Sequence, residues 1–204
     1  MPIPRISLVA VAVCIVLALC AGNNAAAHDR PRVVAPELVR MYADPIPLPR
    51  PPRDAYVDPA PEELLPRETV GYQQRFQPDP HQWDNARVVV AAARERALPV
   101  YAAVIALATA LQESLLENLT VPVDYDSLGL FQQRPSTGWG APEQLTDPAY
   151  AAGAFLDALT ARVPDYRELP LWQSAQATQA SAFPTAYAQW EEQAAAMVGD
   201  ILAE

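Results

Sequence analysis

The chain has 204 residues, a formal net charge of −10 and 14 basic residues, all of them arginine. This acidic balance argues against nonspecific nucleic-acid binding, because the phosphate contacts that dominate such binding need clustered cations. The only cysteines, Cys14 and Cys20, lie near the N-terminus. The rest of the chain therefore has no disulfide available and must gain its stability from a packed core.

The first 27 residues are typical of an export signal. Arg5 precedes an apolar stretch of 16 residues at positions 6–21, and three alanines end at Ala27. The stretch is shorter than the roughly 20 residues that span a membrane. We therefore predict cleavage after Ala27 and a secreted, extracytoplasmic protein of the cell envelope. An uncleaved signal, or a lipid on Cys20 in a weakly matching lipidation box, would be the only membrane attachment.

Residues 28–80 are dense in proline, which lacks a backbone donor and restricts the residue before it. The composition favours an extended, polyproline-like linker whose role is reach. The alternative is an ordered arm that wraps the domain. Leu64, Leu65, Tyr72 and Phe76 are the apolar side chains that could dock such an arm.

Two helices are predicted after this segment. Asp84 is the predicted N-cap of the first, which runs to about Leu98, and Pro99 separates it from the next. The second helix should run from Val100 to about Glu117 and is apolar nearly all round. A helix without a polar face is normally buried on all sides, so we expect it at the centre of the domain.

Later helices complete a mainly α-helical domain over residues 81–204. Asp147, followed by a proline, should cap one helix. A short helix is predicted from Leu171 to about Ala180, and the last helix starts near Pro184. The apolar stripe of the last helix consists of Tyr187, Trp190, Ala194, Met197, Val198 and Ile201.

Glu113 is the candidate catalytic residue. Its neighbours on the apolar second helix are Ala110, Leu111, Leu115 and Leu116. Apolar surroundings raise the pKa of a carboxyl group and keep its proton near neutral pH, which is the state that a general acid needs. The alternative is a carboxylate at the rim of the helix, either solvated or paired with an arginine.

Residues near Glu113 could bind or orient a sugar. Ser114 follows it directly, and Gly129 begins a segment in which glycine allows close backbone approach to a ligand. The amides of Gln132 and Gln133 can donate to and accept from sugar hydroxyls. Trp139 stands between two glycines and is either a stacking surface for a sugar ring or a structural plug.

These motifs resemble those of the lysozyme-like superfamily, especially soluble lytic transglycosylases, goose-type lysozymes and resuscitation-promoting factors. The matching motifs are Glu113-Ser114, Gly129-Leu130-Phe131-Gln132, Asp147-Pro148 and Gly153-Ala154-Phe155-Leu156. The resemblance implies a secreted bacterial protein with a lysozyme-like helical fold over about residues 84–200. It also implies that Glu113 is the catalytic acid, supported by Ser114 and Gln132. Such enzymes cleave the β-1,4 bond between N-acetylmuramic acid and N-acetylglucosamine in peptidoglycan.

One region departs from this pattern. Lytic transglycosylases carry an Ala-Tyr-Asn-Ala-Gly-like stretch late in the domain, whose tyrosine helps to order the acid. The corresponding residues here, 175–184, contain no tyrosine. Gln179 and Ser181 are the candidates for polar contacts in its place. The departure weakens the case for transglycosylase activity more than the case for the fold.

A second carboxylate would decide the mechanism. Inverting hydrolysis needs two carboxyl groups about 6.5–9.5 Å apart, and retention by a carboxylate nucleophile needs about 5–5.5 Å. The candidates near Glu113 in sequence are Asp124, Asp126 and Glu117. Asp126 precedes Ser127, where a turn contact is the commoner use of aspartate. Glu117, four residues after Glu113, would share its helix face and raise its pKa further. The sequence favours a single acid, and the resemblance implies that the substrate's own hydroxyl closes an anhydro ring.

The alternative function is a binding or scaffolding module that holds glycan strands, or a partner cell-wall enzyme, without cleaving them. No cofactor or metal is expected, because His28 and His81 lack paired-ligand spacing. The sequence also has neither a phosphate-binding glycine loop nor a nucleophile elbow. The resemblance implies the peptidoglycan glycan strand as the partner, and the acidic charge argues against nucleic acid.

Overall fold

The structure is a computed structural model, and it describes residues 64, 66, 67, 69 and 71–204. The predicted signal and most of the proline-rich segment lie outside the described residues. Within them the protein is mainly α-helical, as predicted, and β-pairing is limited to an isolated bridge between Leu128 and Gln133. None of the described helices combines the length and the apolar character needed to cross a membrane.

The described residues form six α-helices and two short 3₁₀ helices. The α-helices are α1 (Pro80–Glu95), α2 (Val100–Ser114), α3 (Pro142–Leu145), α4 (Pro148–Arg162), α5 (Leu171–Gln179) and α6 (Glu191–Leu202). The 3₁₀ helices span Pro135–Thr137 and Ala186–Trp190. We call Ala186–Trp190 the tyrosine turn.

Helix α2 is the buried central helix that the sequence predicts. Every residue from Val100 to Leu111 is buried, and α1, α4, α5, α6 and the tyrosine turn all pack against it. Such all-round packing is what an apolar helix requires. Exposure returns only at the C-terminal end of α2, where Gln112 and Glu113 are half-buried.

Helix α1 starts and ends before its predicted limits. Asp79, not Asp84, is the N-cap, because its carboxylate accepts from Gln82 N at 2.9 Å while Gln82 Oε1 accepts from Asp79 N at 2.7 Å. This reciprocal capping box fixes the start of the helix. The helix ends at Glu95, short of its predicted end, and Ala97 then adopts a left-handed φ of 47°.

Helix α2 also ends sooner than predicted, at Ser114. The next two residues, Leu115 and Leu116, both have positive φ, of 53° and 65°, and so cannot continue the helix. Side chains of α1 bond their carbonyls: Gln82 Nε2 donates to Leu115 O at 3.1 Å, and Asn85 Nδ2 donates to Leu116 O at 2.8 Å. Because of this early end, Glu113 lies in the last turn of α2.

The later helices follow the prediction more closely. Asp147 caps α4, and its carboxylate accepts from Ala149 N at 2.9 Å. The short helix predicted from Leu171 is confirmed as α5. The predicted last helix is divided, since the tyrosine turn is 3₁₀ and α6 begins only at Glu191.

Part of the proline-rich segment is an ordered arm, which we call the N-terminal arm and which comprises the described residues of 64–78. Leu64 and Phe76 pack against the core, whereas Tyr72 is 80% exposed. Leu65 lies outside the described residues. The packed body therefore extends to the N-terminal side of the boundary predicted at residue 81.

Candidate active site

Glu113 occupies a site where burial and hydrogen bonding act on one carboxyl group. Its side chain is half-buried, and the Tyr187 hydroxyl donates to Glu113 Oε1 at 2.7 Å. Burial raises the pKa of Glu113 from 4.5 to about 7, although hydrogen bonds from Tyr187 and Gln179 partly oppose the rise. None of the ion pairs among the described residues involves Glu113. The carboxyl group is therefore an acid poised to titrate near neutral pH.

Tyr187 is a site residue that the sequence did not reveal. Its apolar spacing predicts a core position, and the side chain is indeed fully buried, but its hydroxyl points to Glu113. Burial, and then the charge of Glu113, raise the pKa of the phenol, so it remains a hydrogen-bond donor. Residues 175–184 lack a tyrosine, but Tyr187, three residues after this range, supplies the phenol. The Ala-Tyr pair at 186–187 is the signal that could have identified it.

Gln179 connects the acid to the loop of residues 128–133, which we call the glycine loop. Its Nε2 donates to Phe131 O at 2.7 Å, and its hydrogen bond with Glu113 helps to lower the pKa of that carboxyl group. Ser181, the other residue predicted for this region, forms a hydrogen bond that slightly lowers the pKa of Tyr187. The C-terminal end of α5 thus contributes to the site.

Ser114 holds the glycine loop against the end of α2. Its hydroxyl donates to Leu130 O at 2.8 Å and is 3.2 Å from Ala110 O within the helix. The next loop residue, Phe131, is fully buried and stacks on Phe155 with 5.0 Å between ring centroids. These contacts give Ser114 a positioning role behind the acid.

The two glutamines of the glycine loop bond within the protein. Gln132 Nε2 donates to Gly129 O at 2.9 Å, inside the loop itself. Gln133 is buried, and its Nε2 donates to Ala151 O at 3.3 Å. Its Oε1 has no hydrogen-bond partner in the described part of the chain. Gln133 therefore anchors the loop to α4, while Gln132 stays half-buried at the surface.

Asp126 binds residues 8 and 10 positions later in the chain, whereas the sequence favours a local side-chain-to-backbone turn contact. Its carboxylate accepts from Arg134 Nε at 2.6 Å, from Ser136 N at 2.7 Å and from Ser136 Oγ at 3.0 Å. These bonds, led by that from Arg134, hold the pKa of Asp126 far below its usual range. Asp126 is therefore ionised near neutral pH and ties residue 126 to residues 134 and 136.

Glu117 does not influence Glu113 as predicted. Because α2 ends at Ser114, Glu117 does not continue the helix face of Glu113. Its Oε1 instead accepts from Gln82 Nε2 at 3.0 Å, and Glu117 is not among the causes of the raised pKa of Glu113. The prediction of repulsion between the two carboxylates is therefore wrong.

Trp139 is half-buried between two glycines of positive φ. The Arg162 guanidinium lies 5.0 Å from the ring centroid, and the Tyr150 hydroxyl is 3.5 Å from Trp139 O. A cation already covers the indole ring. These contacts resemble the structural plug more than an open stacking surface.

A cavity of about 470 Å³ lies beside the start of α1. Its lining residues are Pro78, Pro80, Trp83, Asp84, Arg87, Asp200 and Glu204. Glu113 does not line it.

No protein-family model matches this chain, and no curated protein is significantly similar to it. The lysozyme-like resemblance therefore remains a prediction from short motifs. Among the described residues, no group of three or more His, Cys, Asp or Glu side chains is placed to hold a metal ion.

Proposed function

We propose that this protein is a peptidoglycan-active enzyme that cleaves glycosidic bonds with Glu113 as its single general acid. The main support is the state of that side chain: burial raises its pKa to about 7, and Tyr187 donates a hydrogen bond to it. A general acid is most effective when its pKa lies near the working pH. An ordinary surface glutamate would already have lost its proton.

In the proposed reaction, Glu113 gives its proton to the glycosidic oxygen as the bond from that oxygen to the anomeric carbon breaks. A hydroxyl of the same sugar then bonds to the anomeric carbon and returns its proton to Glu113, closing an anhydro ring. Tyr187 donates to the carboxylate that exists between the two steps. No second carboxylate is required, which agrees with the use of Asp126 and Glu117 elsewhere.

The proposed substrate is the β-1,4 bond between N-acetylmuramic acid and N-acetylglucosamine. It is supported by the motif resemblance and by the predicted export signal, which would deliver the protein to the cell envelope. The net charge of −10 means that attraction to an anionic wall is not mainly coulombic. Recognition would then depend on hydrogen bonds and apolar contacts near Glu113.

A zymogram with purified wall material tests the proposal. We expect the parent protein to clear the gel and Glu113→Gln to lose activity by at least about 100-fold, the lower range for general acid catalysis. Glu117→Gln is the matched control, because an amide oxygen can still accept from Gln82 and no proton-donating role is removed. It should keep parental activity.

The products and a second set of variants separate the remaining possibilities. Mass spectrometry should find sugar ends that lack one water, as an anhydro product requires; ordinary reducing ends would indicate hydrolysis. Severe loss in a folded Asp126→Asn variant would instead support two carboxylates. If parent and variants all bind sacculi without clearing the gel, the protein is a glycan-binding module.

A further inference from the structure

The N-terminal arm forms hydrogen bonds with the backbone of the two residues that follow Tyr187. Gln73 Nε2 donates to Ala188 O at 2.9 Å, and Gln74 N donates to Gln189 O at 2.8 Å. Ala188 and Gln189 are the two residues that follow Tyr187 in the tyrosine turn. The arm therefore contacts the segment that carries the Tyr187 hydrogen bond to Glu113.

Gln73 bridges two helices with a single amide. Besides donating to Ala188 O, it accepts from Glu192 N at 3.2 Å through its Oε1. It thus spans the junction where the 3₁₀ tyrosine turn becomes α6. Further along the arm, Phe76 N donates to Gln193 Oε1 at 3.1 Å. The junction is fixed at several successive residues.

The other side of the tyrosine turn is held by α2. Gln112 Oε1 accepts from Gln189 Nε2 at 2.7 Å and from Trp190 Nε1 at 3.0 Å. Gln112 directly precedes Glu113, so the same helix end presents the acid and holds the turn. Short 3₁₀ segments have poorer internal hydrogen-bond geometry than α-helices, so outside contacts count heavily in setting their position.

We propose that Gln73 is a positioning residue: by holding the Ala188 carbonyl it places the Tyr187 hydroxyl on Glu113, which makes the N-terminal arm part of the active site. The consequence for catalysis rests on the proposed function. The hydrogen bond itself can be measured without any turnover.

Loss of the Gln73 contacts has a defined consequence for the acid. If the tyrosine turn shifts, the Glu113 anion loses a donor that favours it, and the pKa of the carboxyl group rises further. Tyr187→Phe gives the limiting case, in which the donor is removed outright. The effect of Gln73→Ala should therefore have the same sign and a smaller size.

Carbon NMR of the full-length protein tests this inference. With labelled glutamate and tyrosine, Glu113→Gln assigns the Glu113 carboxyl signal and Tyr187→Phe assigns the ring Cζ signal of Tyr187. We expect the Glu113 pKa to rise by roughly one unit in Tyr187→Phe and by roughly 0.5 unit in Gln73→Ala, with a shifted Cζ signal in the latter. Tyr72→Ser, which changes an exposed neighbour on the same arm, should leave both signals unchanged.

Gln73→Met is a second variant, since it keeps the length of the side chain and removes both amide bonds. If Gln73→Ala or Gln73→Met lowers the melting temperature but leaves both NMR signals at their parental values, the arm is only a structural element and the inference is wrong. A parent protein without wall-cleaving activity would reject the proposed function, while the NMR result would still decide the role of Gln73.

Discussion

At Glu113, burial and the hydroxyl of Tyr187 act in opposite directions on one carboxyl group. Burial disfavours the charged form, whereas the hydrogen bond donated by the Tyr187 hydroxyl favours it. Burial has the larger effect, so the pKa settles at about 7. Both protonation states are then accessible near neutral pH, which suits a group that must release a proton and take one back.

The raised pKa of Glu113 predicts a pH dependence of stability. The folded state binds this proton more tightly than the unfolded chain, whose glutamate pKa is near 4.5. The stabilisation is fully present below about pH 4.5 and is lost as the pH rises through 7. It amounts in full to roughly 3 to 3.5 kcal/mol, most of which is lost between pH 5 and pH 8. Urea unfolding at pH 5 and pH 8 should show this loss in the parent and a smaller one in Glu113→Gln.

Asp126 and Glu204 do not interfere with that comparison, because hydrogen bonds from Arg134 and Arg87 lower their pKa values and place their titration below this range. An equal pH dependence in the parent and Glu113→Gln would mean that Glu113 is ionised throughout. The general-acid mechanism would then lack its starting state.

The raised pKa of Glu113 could be predicted from the sequence, because the residue lies in the last turn of an apolar helix and burial is the main cause of the rise. Tyr187 could not be predicted in the same way. Its contact with Glu113 joins residues 74 positions apart, and its spacing is equally that of a core tyrosine. The positions of Gln132 and Gln133 depend on how the glycine loop folds back, which residue types alone do not determine.

At the scale of elements, helix positions were easier to predict than helix ends. Asp147, followed by a proline, has an unambiguous capping pattern, and the structure confirms it. Asp79 competes with Asp84 as a cap, and the outcome depends on the reciprocal bond with Gln82. The end of α2 depends on side chains of α1 that donate to the carbonyls just after it, so no local sequence pattern predicts where α2 ends.

Gly129 of the glycine loop and Gly138, which lies beyond it, should respond differently to an added methyl group. At Gly129, with φ of 72°, an added Cβ would lie 2.0 Å from Leu145 O, in the backbone at the end of α3. Gly129→Ala should therefore cost at least about 3 kcal/mol, from a left-handed backbone and a steric clash together. Urea denaturation of the purified variant measures this loss.

Gly138→Ala is the matched control for Gly129→Ala. Gly138 also has a left-handed φ, of 87°, but nothing lies within 4 Å of an added Cβ. Only the backbone penalty of about 1–2 kcal/mol should appear. Equal losses in the two variants would show that the loop moves away from α3 at little cost, and that its position beside Glu113 is not fixed by this packing.

At the scale of the whole molecule, the candidate site is assembled from segments far apart in sequence. The acid comes from the end of α2, its donors come from the tyrosine turn and the end of α5, and Ser114 joins α2 to the glycine loop. The buried part of α2 contacts most of the other helices. A shift of a distant helix can therefore change the position of Glu113 through its contacts with α2.

The N-terminal arm gives the last prediction. A fragment of residues 79–204, which keeps the Asp79 cap of α1, should fold but melt at least about 5 °C below the full chain, because a loss of 1 kcal/mol lowers the melting temperature of a domain this size by about 2–4 °C. It lacks the core contacts of Leu64 and Phe76 and the bond from Arg67 N to the buried Glu191 carboxylate, at 2.8 Å. A fragment of residues 64–204 keeps all three contacts and should have the melting temperature of the full chain.

Equal melting temperatures of the two fragments would mean that ordering the arm costs as much free energy as its contacts contribute. The stably folded domain would then begin at the cap of α1.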